Sequence, residues 1–172
     1  MKIKKQVKRP GDIFAIPLGG GRYGFACLFH HGLSGIYEHT SASIEDIPKN
    51  RRFLFMTAIV VPAMNAEGWP VVGMDVVAKG KTTELPLQFI YDEDADTYCI
   101  YVAETGEKRP SSKQDCAGLE KVAAWGREHI VARILSGGRH PWLEEGLPHP
   151  KGIEYDSEGR FHRFDLQFGN GS

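Results

Sequence analysis

Cysteine, net charge and long apolar runs are all scarce in this chain. Its 172 residues include three cysteines, Cys27, Cys99 and Cys116, and an odd count without regular spacing does not describe a disulfide framework. Free thiols fit a reducing compartment, so we expect a cytoplasmic protein. The formal net charge of -1 argues against a general nucleic-acid binder, because such proteins are usually strongly basic. We therefore expect no direct nucleic-acid partner.

The chain also lacks an apolar segment that could cross a membrane. Its longest apolar stretch, residues 53–64, is too short to span a bilayer and contains a threonine and a proline. The basic start, residues 1–9, is not followed by the apolar region of a signal peptide, and we interpret it as a solvated tail. We expect no membrane partner and no secretion by this route.

What the chain does contain is typical of a globular domain. Hydrophobic residues make up 41% and charged residues 25% of the sequence, which excludes wholesale disorder. A domain of this length buries roughly 70% of its unfolded surface, so it needs no disulfide or metal to hold a core. We predict a single domain with four segments: a basic tail (1–9), a β-rich core (10–110), a helix (111–136) and an irregular C-terminal segment (137–172).

Residues 12–29 carry the clearest hairpin pattern. Two stretches rich in β-forming residues, 12–18 and 22–29, flank a run of three glycines that permits the positive φ of a tight turn. Pro17 cannot donate to a strand ladder, so the first strand lies at an edge or ends there.

Two further patterns extend the predicted sheet. The apolar run 53–61 predicts a central strand that is buried on both faces. Residues 87–91 and 97–102 predict a second hairpin, connected by residues 92–96.

A helical period replaces the strand pattern after residue 110. Ser111 and Gln114 form a capping-box signal, and apolar residues such as Ile130 and Ile134 share one face. The glycine pair at 137–138 is a typical helix stop. We therefore predict an α+β fold, in which one long helix packs on a twisted, mostly antiparallel sheet that could close into a barrel.

No residue pattern predicts catalysis, and we expect neither enzyme activity nor a cofactor. The glycine run 19–21 precedes a strand, whereas a phosphate cradle needs a helix N-terminus. The alternating aspartates in 92–96 resemble the opening of a calcium-binding loop, but Thr97 and Ala103 stand where that loop needs Gly and Glu. Cys27, which lies near several histidines, belongs to a predicted strand, so we expect no metal there.

Acidic residues cluster around the second predicted hairpin, with seven of them between Glu84 and Glu107. A solvated hairpin is one interpretation. The other is an acidic prong that meets a basic surface, such as the nucleic-acid cleft of a nuclease, where charge complementarity speeds association. Aromatic side chains often anchor such interfaces. The candidate contact residues are Asp92, Glu93, Asp94, Asp96 and Trp142.

The first hairpin also resembles a known family. Residues 11–18 (GDIFAIPL) and, after the glycine turn, residues 22–26 (RYGFA) look like the opening of the immunity protein 26 family of bacterial polymorphic-toxin systems. The resemblance covers residues 8 to about 61 and supports neither the helix nor the C-terminal segment. It brings no catalytic residues.

That resemblance implies a function in competition between bacteria. It implies a cytoplasmic protein that neutralises a toxin from a neighbouring or sibling cell, and we expect tight stoichiometric binding that occludes the toxin's active site. Two alternatives stay open on the residues alone. One is a small SH3-like binding module for a peptide, nucleic acid or ligand, and the other is an enzyme whose site assembles from dispersed histidine and acidic residues.

Overall fold

The structure is a computed structural model that describes residues 7–65, 67–81 and 83–168. In these ranges the strands are β1 (Asp12–Gly19), β2 (Arg22–Leu28), β3 (Leu33–Tyr37), β4 (Arg52–Ala58), β5 (Val71–Met74), β6 (Gln88–Asp92), β7 (Thr97–Val102), β8 (Glu107–Ser111), β9 (Glu120–Lys121), β10 (Gly152–Tyr155) and β11 (Phe161–Phe164). The α-helices are α1 (Val61–Met64), α2 (Val76–Lys79) and α3 (Arg127–Leu135). Short 3-10 turns cover His30–Gly32 and Gln114–Cys116.

The strands form two sheets. The large sheet has seven strands in the order β11-β10-β4-β3-β2-β1-β5, and all its neighbours are antiparallel. The small sheet has the order β8-β7-β6-β9 and is antiparallel except where β6 meets β9. The predicted β-rich α+β class is confirmed. Both sheets are open in the part of the chain that the structure describes, so the sheet does not close into the barrel that was considered from the sequence.

The first hairpin and the central strand follow the predictions. β1 and β2 pair across the glycine turn, and β5 covers only the first half of β1, so the strand is at an edge by Pro17. β4 lies between β3 and β10, and residues 53–57 are buried. The second hairpin is also present, as β6 and β7.

The large sheet is covered on both faces because side chains alternate along its strands. Phe14 and Ile16 of β1 join one core cluster, whereas Ile13 and Ala15 join the other. The first cluster also contains Trp125 and residues of α3, which places the helix on that face. β3, a strand not predicted from the sequence, completes the sheet between β2 and β4.

The predicted helix 111–136 is wrong in extent, because only its last third is helical. Gly118 has a φ of 81°, which no α-helix accommodates, and the residues before α3 form the end of β8, a 3-10 turn and β9. Ile130 and Ile134 of α3 do pack on the sheet. A β-carbon placed on Gly24 would lie 3.2 Å from Ile134 Cδ1, so glycine permits this close approach.

The two terminal segments also differ from their predictions. Residues 1–6 and 169–172 lie outside the described residues, but Lys8 of the supposed solvated tail is only 6% exposed. Its ammonium donates to the carbonyl of Met64 at 2.6 Å, and burial lowers the pKa of the Lys8 amine. The segment after residue 137 is not wholly irregular, since it contains the β10–β11 hairpin.

Candidate partner-binding surface

The acidic turn, residues 92–96, connects β6 to β7 and is exposed along its whole length. The Asp92 carboxylate accepts hydrogen bonds from two backbone N–H groups of the turn, including that of Asp94 at 3.0 Å. Asp96 adopts a left-handed conformation with a φ of 49° and accepts the Tyr91 hydroxyl at 2.8 Å. This hydrogen bond to a carboxylate raises the pKa of Tyr91 to about 12. Asp92 and Asp96 therefore shape the turn.

Glu93 and Asp94 are the free carboxylates of this turn. Within the described ranges, neither side chain has a hydrogen bond or an ion pair, although the Asp94 N–H is bonded to Asp92. Behind them the rings of Tyr91 and Tyr98 pack across the two strands with centroids 4.6 Å apart. The turn thus presents two unpaired negative charges on a stiffened hairpin.

The small sheet connects the acidic turn to the region of Trp142. One face of the sheet carries a cluster of Phe89, Cys116 and Leu119, against which Tyr91 and Tyr98 pack. Leu143 and Leu147, which follow Trp142 in the chain, pack against the same cluster. Both groups of candidate residues are therefore attached to one layer of the fold.

Trp142 is held in place through its backbone and its ring. Its N–H donates to His140 Nδ1 at 3.1 Å, and its carbonyl accepts from Lys121 Nζ at 2.7 Å. The indole stacks on Trp125 at a centroid distance of 4.5 Å, and the His129 ring meets it edge-on at 4.9 Å. With 38% of its surface exposed, Trp142 is a fixed, half-open aromatic side chain.

A buried ion pair lies beneath this aromatic stack. Arg133 of α3 donates to both carboxylate oxygens of Glu120 in β9, at 2.6 and 2.8 Å, and to the carbonyl of Gly138 at 3.1 Å. Its guanidinium lies 3.7 Å from the Phe55 ring centre and 4.9 Å from that of Trp125. Burial raises the pKa of Glu120, which the facing Arg133 only partly offsets. The pair joins the small sheet to the helix on the large sheet.

His140 connects the ion pair to Trp142 as a neutral imidazole. Burial, with Arg133 nearby, lowers its pKa to about 3. Since Nδ1 accepts the Trp142 N–H, Nε2 carries the proton and faces Glu120 Oε1 at 3.6 Å. That separation is too long for a hydrogen bond, and Nε2 has no hydrogen-bond partner in the described residues. The contact is therefore a weak charge–dipole interaction rather than a salt bridge.

A cavity of about 360 Å³ opens beside Trp142 at the C-terminal end of α3. It combines an aromatic wall with basic and hydroxyl groups. The residues that line it are His129, Ala132, Arg133, Ser136, Arg139, Pro141 and Trp142.

The histidines and the cysteine that lie close together in the sequence are not arranged as metal ligands. His30 and His39 bond to backbone carbonyls, each at 2.9 Å, and Cys27 is fully buried. Across the described ranges, no group of three or more His, Cys, Asp or Glu side chains is placed to hold a metal ion. In the same ranges no helix is both long and apolar enough to cross a membrane.

Sequence reasoning found the acidic turn and Trp142 but missed the buried groups around them. It placed residues 111–136 in one helix, which would have separated Glu120 from Arg133 by more than three turns. The period of the apolar residues carried no signal for the break at Gly118. Whether the predicted contact residues bind a partner stays a prediction.

The fold and surface define a β-rich protein of two open sheets that displays an acidic turn and a fixed aromatic side chain. A family model described as Immunity protein 26 matches residues 9–100, and the chain belongs to this family. The match confirms the resemblance and extends it through the acidic turn, but it stops before α3 and Trp142. A search of curated proteins and a search of solved structures each find no match.

Proposed function

We propose that this protein neutralises a cognate bacterial toxin in the cytoplasm by tight, stoichiometric binding that occludes the toxin's active site. Membership of an immunity protein family supports the general role. The observation that carries the specific mechanism is the pair of unpaired carboxylates, Glu93 and Asp94, on a stiff exposed turn inside the family-matched region.

Charge complementarity explains why such a turn suits an inhibitor. A toxin that acts on nucleic acid needs a basic cleft, and an acidic prong competes with the phosphate backbone for that cleft. Opposite charges also accelerate the encounter, which helps when a toxin must be bound before it acts. On this proposal the protein acts as a binder without catalysis, in a polymorphic-toxin system used in bacterial competition.

The first experiment is co-expression of this chain with the product of the gene immediately upstream of its own. We expect the neighbour to kill cells when expressed alone, to be tolerated with this protein, and to co-purify with it. A harmless neighbour that does not co-purify would contradict the proposal. Inhibition without a stable complex would contradict the stoichiometric mechanism.

The second experiment tests the acidic turn within that complex. The double variant Glu93→Gln/Asp94→Asn is expected to lower the association rate and to flatten its dependence on salt. A matched control, Glu45→Gln/Glu67→Gln, removes two exposed carboxylates elsewhere and leaves the turn intact. Equal rates for both double variants would show that the turn is not the contact.

A further inference from the structure

We infer that the cavity beside Trp142 binds a carboxylate side chain of the toxin, so that the complex is held by two contacts of opposite polarity. This inference rests on the proposed function and deepens it, because it states what chemistry the partner must present. The acidic turn selects a basic surface, and the cavity selects an acidic residue next to it.

The charges around the cavity favour an anionic group. Arg133 is already satisfied by Glu120, so its charge is balanced inside the protein. Arg139 differs, because its guanidinium lies 4.4 Å from the Phe168 ring centre and has no carboxylate partner among the described residues. None of the described residues that line the cavity is acidic, and His129 adds an imidazole to its wall. The guanidinium of Arg139, which packs on Phe168, therefore keeps its N–H groups available for a carboxylate in bidentate geometry.

The shape and rigidity of the site favour a side chain with an apolar stem. Trp142 and Pro141 supply a hydrophobic wall, along which the methylene groups of a glutamate or aspartate can lie. Because Trp142 is already fixed by His140, Lys121 and Trp125, binding does not have to order it. A volume of about 360 Å³ is large enough for one such side chain and its neighbours.

Two contacts of opposite sign would determine orientation as well as affinity. Leu143 packs against the cluster of the small sheet, which also carries the acidic turn, so the segment of Trp142 and the turn are connected through that cluster. A toxin docked in the reverse orientation would place like charges together at both points, which costs binding energy. A competing occupant is a second copy of this chain, whose acidic turn is also complementary to Arg139.

The test measures binding of the purified neighbouring toxin to variants of the full chain. Arg139→Glu and Trp142→Ala are each expected to weaken the affinity at least about tenfold. Arg139→Lys keeps the charge but loses the bidentate geometry, so its affinity is expected to lie between that of Arg139→Glu and that of the wild type. Lys81→Glu, at an exposed site outside the cavity, changes the net charge as Arg139→Glu does and is expected to bind as the wild type does. Thermal unfolding of each variant checks that the fold is intact, and Arg139→Gln serves if Arg139→Glu fails to fold.

The outcomes separate this inference from the proposed function. If the wild type binds the toxin, and Arg139 and Trp142 variants bind equally well, the cavity site is overturned while toxin neutralisation stands. If the wild type does not bind the toxin, both the cavity site and the proposed neutralisation are contradicted. Restoration of Arg139→Glu binding by one Asp→Lys or Glu→Lys change in the toxin would identify the carboxylate. Self-association of the free chain that Arg139→Glu abolishes would instead assign the cavity to a second copy and overturn the inference.

Discussion

The large and small sheets are stabilised in different ways. β3 and residues 53–57 of β4 are buried on both faces of the large sheet, whereas β8, at the edge of the small sheet, is exposed from Glu107 to Pro110. On the small sheet one face packs on a three-residue cluster, and Tyr101 on the opposite face is only partly buried. The large sheet therefore provides most of the stability, and the small sheet can display charge because it contributes less to the core.

The largest expected effect is a truncation in the large sheet. Phe53 is fully buried and its ring contacts those of Phe29, Tyr37 and Tyr155. Phe53→Ala is expected to lower the free energy of unfolding by about 4 kcal/mol, because it removes aromatic surface and leaves a cavity. Urea unfolding measures the loss. Tyr101→Ala in the small sheet is the comparison, and an equal loss there would break the contrast between the sheets.

The next effect concerns the ion pair that joins the two regions. Glu120→Ala leaves the Arg133 guanidinium buried without its carboxylate, and we expect a loss of about 3 kcal/mol in the free energy of unfolding. The exposed pair of Arg52 and Glu154 is the control, and Glu154→Ala should cost less than about 1 kcal/mol. A double replacement of Glu120 and Arg133 by methionine should cost less than the single change. If the double variant loses more free energy of unfolding than Glu120→Ala does, charge pairing is not what connects the two sheets.

A third effect appears when the pH falls. The folded pKa of His140, about 3, lies below its ordinary value of 6.5, so between these values the unfolded state takes up a proton that the folded state does not. The contribution of His140 to stability is therefore complete above pH 6.5 and declines by about 1.4 kcal/mol for each pH unit below it. Urea unfolding at about pH 6.5 and pH 5 should show this decline in the wild type but not in His140→Gln. Comparing the two proteins at each pH cancels other titrating groups, and parallel profiles would exclude His140 as the cause.

The smallest effect is expected at the acidic turn. Since the exposed side chains of Glu93 and Asp94 have no hydrogen bond or ion pair among the described residues, Glu93→Gln/Asp94→Asn should change the free energy of unfolding by less than about 0.5 kcal/mol. Asp92→Ala should cost more, because Asp92 closes the turn through two backbone hydrogen bonds. Urea unfolding of both variants checks the order. The reverse order would mean that the carboxylates of Glu93 and Asp94 stabilise the fold and are not reserved for binding a partner.

The sequence predicted the parts of the fold that depend on neighbours in the chain. The β1–β2 hairpin, the buried β4 and the β6–β7 hairpin follow from alternation, turn glycines and apolar runs. The helix was overextended because residues 111–126 have an apolar spacing that suits a helix. Gly118 instead has a positive φ, and its carbonyl accepts a hydrogen bond from the distant Lys151 N–H, which no local pattern predicts.

The candidate surface was predicted only where it is exposed and local. Four acidic residues within five positions are apparent from the sequence, and so is Trp142 in a segment rich in proline, glycine, histidine and charged residues. The assembly of Glu120, Arg133 and His140 beneath Trp142 joins a strand, a helix and a loop. No sequence period records such a contact, because it is made only when both sheets have formed.

The stacked indoles of Trp125 and Trp142 give the protein a built-in optical signal. Of the three tryptophans, Trp69 and Trp125 are 2% and 0% exposed, so Trp142 alone meets the solvent. Two indoles with centroids 4.5 Å apart couple their electronic transitions, which produces a paired positive and negative band in circular dichroism. A molecule that covers Trp142 would shift its emission toward shorter wavelength, and one that displaced the ring would also erase the paired band. Fluorescence and circular dichroism together can thus distinguish a ligand that covers Trp142 from one that separates the two indoles, without any added label.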